Sequence, residues 1–176
     1  QDKNKKNIKD FKKNFKLRIA SYGFCLPNKG FEELIRAVKI LKDKNFEVEL
    51  NLFSAIYTSE YQYLSNSLND VINELGLNYQ VNLNTEYMED NQILNQLQSN
   101  DLIIFPYQKS NESSSAAVRQ GLASLKPVLV SPLNIFRDID YLVYYLKGFT
   151  PKLIAESIFE WHQSSKKIGD IYDKKP

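Results

Sequence analysis

The stretch DLIIFPYQKSNESSSAAVRQGLASLKPVLVS, Asp101 to Ser131, decides how this chain is read. It contains two short, nearly continuous apolar runs, DLIIFPY and KPVLVS, and runs of that kind belong to strands covered on both faces. Between them lies a small-residue pattern at helical spacing, which predicts a helix opening at Glu112 to Ser115. Strand, helix and strand in succession make one crossover unit of a parallel sheet. The loop into that helix carries a carboxylate, Glu112, followed by Ser113, Ser114 and Ser115.

The same alternation runs outward in both directions. LRIASYG, Leu17 to Gly23, predicts a strand, and the loop FCLPNKG leads to a helix over Gly30 to Asn45. In that helix Phe31, Leu34, Ile35, Val38 and Leu41 share one face. FEVELNLFSA predicts a second strand. Leu64, Leu68, Val71, Ile72 and Leu75 mark a second helix, with Gly76 as its stop. YQVNLNT is a weaker third strand, and EDNQILNQLQSN a short helix with Ile93, Leu94 and Leu97 inward. Beyond Ser131, YLVYYLKG reads as an edge strand. TPKLIAESIFEWHQ is a last helix, capped by Thr150 with Pro151 at its first position. The expected fold class is α/β: a Rossmann-like, doubly wound parallel sheet of about six strands, in three layers and a single domain. Residues 16–165 form that domain, after a basic start at 1–15 and before a polar tail at 166–176.

Composition narrows the class. The chain has 176 residues, 43% of them hydrophobic, enough for one domain with its own core. A net charge of +2 is close to balance, and nothing in it calls for a nucleic-acid partner. The start, QDKNKKNIKDFKKNFK, reads as a solvated linker or as a basic patch that meets anionic lipid, a possible peripheral membrane contact. One cysteine, Cys25, excludes an internal disulfide and fits a reducing, cytoplasmic compartment. One histidine, His162, with that one cysteine cannot build an ordinary zinc site, so no metal is expected. No apolar run reaches the roughly 20 residues of a membrane span, and no leader-like segment opens the chain. Because the first residue is Gln, a fragment or a processed chain is expected.

In a doubly wound sheet ligands lie at the carboxyl ends of the strands. Two strand-to-helix loops carry chemistry there. In YGFCLPNKGFEEL, Gly23 ends a strand and Gly30 opens a helix directly after Lys29. Glycines admit close backbone approach, and a helix start offers free N–H groups beside the lysine charge. That combination suits a phosphate, although its spacing is neither the P-loop nor the dinucleotide fingerprint; a tight turn with a solvated lysine would look the same. In the second loop the serines place hydroxyls and N–H groups at a helix mouth. Glu112 either accepts hydrogen bonds from sugar hydroxyls or caps the helix itself. Facing each other, the two loops would suit a ligand with a diphosphate and hydroxyls.

GFCLPNKGFEELIRAVKIL together with DLIIFPYQKSNESSSAAVRQGLASLKPVLVS resembles the C-terminal, donor-binding domain of retaining family 4 glycosyltransferases (glycosyl transferases group 1), which have the two-domain GT-B architecture. The resemblance covers roughly residues 17 to 160. That family has a glycine followed by an arginine, with Lys-Gly six and seven places after the glycine; Gly23, Lys29 and Gly30 match, and Phe24 stands in place of the arginine. It also has two glutamates with seven residues between them, then a Pro-Val strand. Glu112 matches the first, Gln120 replaces the second, Pro127 and Val128 match the strand, and Leu125 stands where the family has glycine. The wording ESSSAAVR is similar to a subgroup of bacterial transferases, of the kind that build polysaccharides.

The resemblance implies a nucleotide-sugar donor as substrate, no cofactor, and metal-independent hexosyl transfer to a glycan or lipid-linked acceptor held by an N-terminal domain missing here. It implies that Lys29, with Gly23 and Gly30, binds the donor diphosphate and steadies the leaving charge. The N–H groups of Ser114, Ser115 and Ala116 hold phosphate oxygens. Glu112 and Ser113 meet the transferred sugar, and Gln120 takes the ribose. Thr85, Glu86, Tyr87 and Met88 lie beside the base. Glu112 and Lys29 are the catalytic candidates, with Arg119 or Lys109 standing in for the absent arginine. The competing expectation is a non-catalytic binding or scaffold module that kept the fold. His162 is read as a surface residue, Cys25 as packing, the eleven tyrosines as core edge and surface, and Asp138 and Asp140 as closing the cleft or lying on the surface.

Overall fold

The computed structural model describes residues 16–112 and 114–172, with side chains through 166. The basic start and Ser113 therefore lie outside the described residues. Strands β1 (Leu17–Tyr22), β2 (Val48–Phe53), β3 (Val81–Asn84), β4 (Leu102–Phe105), β5 (Val128–Val130) and β6 (Tyr144–Tyr145) form one six-stranded sheet. All neighbours are parallel, in the order β3-β2-β1-β4-β5-β6. The expected Rossmann-like α/β fold is thus observed, with the order reversing between β1 and β4.

The strand sequences explain why both faces are covered. In β4 every residue of LIIF is fully buried, and alternate side chains point to opposite faces. Leu102 and Ile104 join a core cluster with Leu17, Ile19, Leu50 and Leu52. Ile103 and Phe105 join a second cluster with Ala20, Val128 and Val130. The first face is closed by helices α1 (Phe31–Asp43), α2 (Gln62–Glu74) and α5 (Pro151–Tyr172), which contribute Leu34, Val38, Leu68, Ile154 and Ile158. The second face is closed by α3 (Asp90–Gln98), α4 (Ala116–Ala123) and a kinked 3-10 segment (Asn134–Leu142), through Ile93, Leu97, Val118, Ile135 and Phe136.

Helix ends follow their sequence signals in most places. Gly76 takes a left-handed φ of 63° just past α2. Thr150 Oγ1 accepts the Leu153 N–H at 3.3 Å, so it caps α5 ahead of Pro151. Three details differ from expectation. The edge strand is only Tyr144–Tyr145, because the chain before it is spent on 3-10 turns. Helix α5 continues past Gln163 to Tyr172, running through Gly169 without a break. Helix α4 begins at Ala116 with Ser115 as its N-cap, so Ser114 precedes the helix and Glu112 does not cap it.

Candidate functional site

Helix α1 starts where it does because Gly30 does what no other residue can there. Its φ is 74°, and a Cβ would stand 1.8 Å from the Pro106 carbonyl oxygen. The β1–α1 loop is thereby pressed against the end of β4. A second tie lies alongside: the Gln108 N–H donates to the Asn28 carbonyl at 2.8 Å. Lys29, between Asn28 and Gly30, projects over the ring of Tyr107, with Nζ 4.2 Å from the centroid.

The second loop is fixed by hydroxyls. Ser115 Oγ accepts the Val118 N–H at 3.4 Å and shares a 2.9 Å hydrogen bond with the Tyr107 hydroxyl. Tyr107 is 1% exposed and stacks edgewise on Phe105. With Ser115 as cap, the N–H groups of Ala116 and Ala117 have no partner within the helix and carry its positive dipole end.

Between these loops, at the carboxyl ends of β1 and β4, lies a cleft of about 510 Å³. Gly23, Lys29, Glu112, Ser115, Ala116 and Gln120 line it together, and Glu86, Tyr87 and Met88 line it as well. Arg119 lines it too, with its guanidinium 3.0 Å from Asp138, both side chains at least half exposed. Of the described candidates, Ser114, Thr85 and Lys109 do not line it, and Gly30 instead faces a smaller pocket of about 280 Å³ behind the loop.

The chemistry of the lining is mixed. Lys29 and Arg119 supply positive charge, and Glu86, Asp90 and Glu112 negative charge. Burial pushes the Tyr22 phenol up, and the charge of Asp90 adds to the effect, so Tyr22 stays a neutral hydroxyl at the floor. Phe24, in the place of the expected arginine, is partly exposed and meets Tyr57 edge to face at 5.1 Å. An apolar edge therefore stands where the resembled family has an arginine.

Sequence reasoning missed Tyr107. It also misplaced His162, which is buried and packs edgewise on Phe46 at 5.2 Å. Burial and the charge of Lys166 hold the His162 imidazole below its ordinary range, against an opposing pull from Asp101. Cys25 is buried, and burial pushes its thiol up while the neighbouring Ser54 hydroxyl draws it partly back. An inert thiol fits the expected packing role. Among the described residues no group of three or more His, Cys, Asp or Glu is placed to hold a metal ion, and no helix is long and apolar enough to cross a membrane.

No family model matches this sequence. No curated protein matches it either. Solved structures do resemble the fold. The C-terminal domain of the glycosyl transferase group 1 protein LpcC from Francisella tularensis superposes with a TM-score of 0.70 at 18% identity, covering 85% of this chain and 77% of that one. A glycosyltransferase from Rickettsia africae ESF-5 gives 0.71 at 18% identity over 82% of this chain. Anabaena Alr3699/HepE, solved in complex with UDP and glucose, gives 0.71 at 16% identity over 86%. This chain spans 37% of the Rickettsia protein's length and 40% of the Anabaena protein's. The likeness is one of fold, and the solved domain it matches over most of both chains is the C-terminal domain of a glycosyl transferase group 1 protein.

Proposed function

We propose that this chain is the donor-binding part of a retaining glycosyltransferase and that its cleft takes a nucleoside-diphosphate sugar. One observation carries the reading: Lys29, the free N–H groups at the start of α4 and Glu112 line the same cleft at the reversal point of the sheet. Similarity of fold to glycosyltransferases, one of them holding UDP and glucose, supports it.

Cleaving the bond between sugar and diphosphate leaves added negative charge on the leaving group. A lysine and a helix start fixed at that point stabilise the transition state more than the ground state. In this arrangement Lys29 meets the diphosphate and Ser115 and Ala116 donate to its oxygens. Glu112 accepts from hydroxyls of the sugar, and Gln120 bonds the ribose without charge. Tyr87 and Met88 border the base. Arg119 supplies the second cation that Phe24 does not, by exchanging Asp138 for phosphate. The reaction uses neither a metal nor a cofactor, and the acceptor, a glycan or a lipid-linked sugar at a membrane surface, is held by chain outside these 176 residues. By itself the chain binds donor and transfers sugar poorly.

Thermal unfolding with UDP, ADP, GDP and dTDP tests the reading. A diphosphate at 100 times its Kd adds about 2.7 kcal/mol of stability. Replacing Lys29 with alanine is expected to weaken that binding at least tenfold, about 1.4 kcal/mol or more. No response to any of the four nucleotides favours the scaffold alternative, for which Phe24 and Gln120, standing where the family has charged residues, are the specific signs.

A further inference from the structure

We propose that Tyr107 is the positioning residue of the cleft, holding the Lys29 ammonium on its ring face and the Ser115 cap through its hydroxyl before any diphosphate arrives. This rests on the donor-site reading above. Three observations carry it. Lys29 Nζ lies 4.2 Å above the ring centroid. The hydroxyl is 2.9 Å from Ser115 Oγ. The ring itself is immobilised, being 1% exposed and wedged between Phe105 at 6.3 Å and Phe136 at 5.6 Å.

The choice of a ring as partner has a physical consequence. A carboxylate holding Lys29 would neutralise it and compete with the incoming anion. An aromatic face attracts the ammonium through its quadrupole and leaves the full charge available. Among the described residues Lys29 has no ion pair, so the ring is its partner. Lysine is among the side chains that lose most rotamer freedom on being fixed, and a parked lysine has already lost part of it. At the other end, Ser115 Oγ already accepts the Val118 N–H. A Tyr107 O–H donated to its second lone pair leaves the serine's own proton for an anion. One side chain at the end of β4 thus couples a lysine from one loop to a helix start from the other.

Calorimetric titration of the 176-residue chain with UDP, ADP, GDP and dTDP supplies the test, using whichever binds tightest. Y107F keeps the ring face and loses the hydroxyl; about a threefold loss of affinity is expected. Y107L loses both contacts, and at least a tenfold loss is expected. The deciding readout is coupling, which a merely structural role would not produce. K29A costs at least tenfold in the wild-type background but less than threefold beside Y107L. Equal costs of K29A in both backgrounds overturn the proposal while leaving the donor site standing. If Y107L does not fold, the volume-conserving pair decides: S115A must cost less beside Y107F than alone, and strict additivity overturns the proposal. A wild-type chain that binds none of the four diphosphates overturns the donor reading and this proposal with it.

Discussion

The two loops of the cleft reach the same precision by opposite means. The β1–α1 loop is held by exclusion: Gly30 touches the Pro106 carbonyl so closely that no side chain fits between them. The β4–α4 loop is held by bonding: Ser115 is fixed by the Val118 N–H on one side and the Tyr107 hydroxyl on the other. Exclusion is absolute but local, because it tolerates one residue type only. Bonding is graded, because each hydrogen bond adds on the order of 1 kcal/mol and can be removed alone.

The contrast can be broken most forcefully at Gly30. Gly30→Ala combines a left-handed backbone, worth about 1–2 kcal/mol, with a backbone collision, for a total loss of at least about 3 kcal/mol. Chemical denaturation measures it, and Gly76→Ala is the matched control. Gly76 has a similar φ of 63° but nothing within 4 Å of the added Cβ. If both substitutions cost the same, exclusion by Pro106 is not what holds the first loop.

Ser115→Ala probes the bonded side and sits in the middle of the scale. It removes a helix cap, worth about 1 kcal/mol, and strands a buried phenol, for roughly 2 kcal/mol in all. The midpoint of urea unfolding should fall accordingly with an unchanged slope.

The smallest effect is at the far end of α4. Leu125 adopts φ 59° although it is 88% exposed and packs on little. Leu125→Gly should raise stability by up to about 1 kcal/mol, because the strain disappears and no burial is lost. A decrease would show that Leu125 makes a contact in solution that offsets its backbone.

The sequence speaks clearly where geometry leaves one solution. LIIF reads as a strand covered on both faces, and it is one; Gly23 and Gly30 mark a turn, and both take positive φ. It speaks less clearly where several residues share a chemistry. Three consecutive serines are equal as helix caps, and the choice of Ser115 depends on the reach of a tyrosine eight residues earlier. Tyr107 follows a proline at the end of an apolar run, so its pattern matches a strand terminus and conceals its two polar contacts. His162 reads as a surface residue because it lies in the last helix, far in sequence from both loops; in the fold Phe46 from the α1–β2 connection covers its ring. Such contacts between distant segments leave no periodic trace.

The cleft straddles the joint between β1 and β4, where the two halves of the sheet meet at Ile19 with Leu102 and Ala20 with Ile103. Its walls come from both halves, Lys29 on one side and Glu112 on the other, so neither half encloses it alone. A ligand gripped from both sides therefore works as a suture across the midline. Whatever free energy it gains by binding also resists separation of the halves, so occupancy and mechanical cohesion rise and fall together.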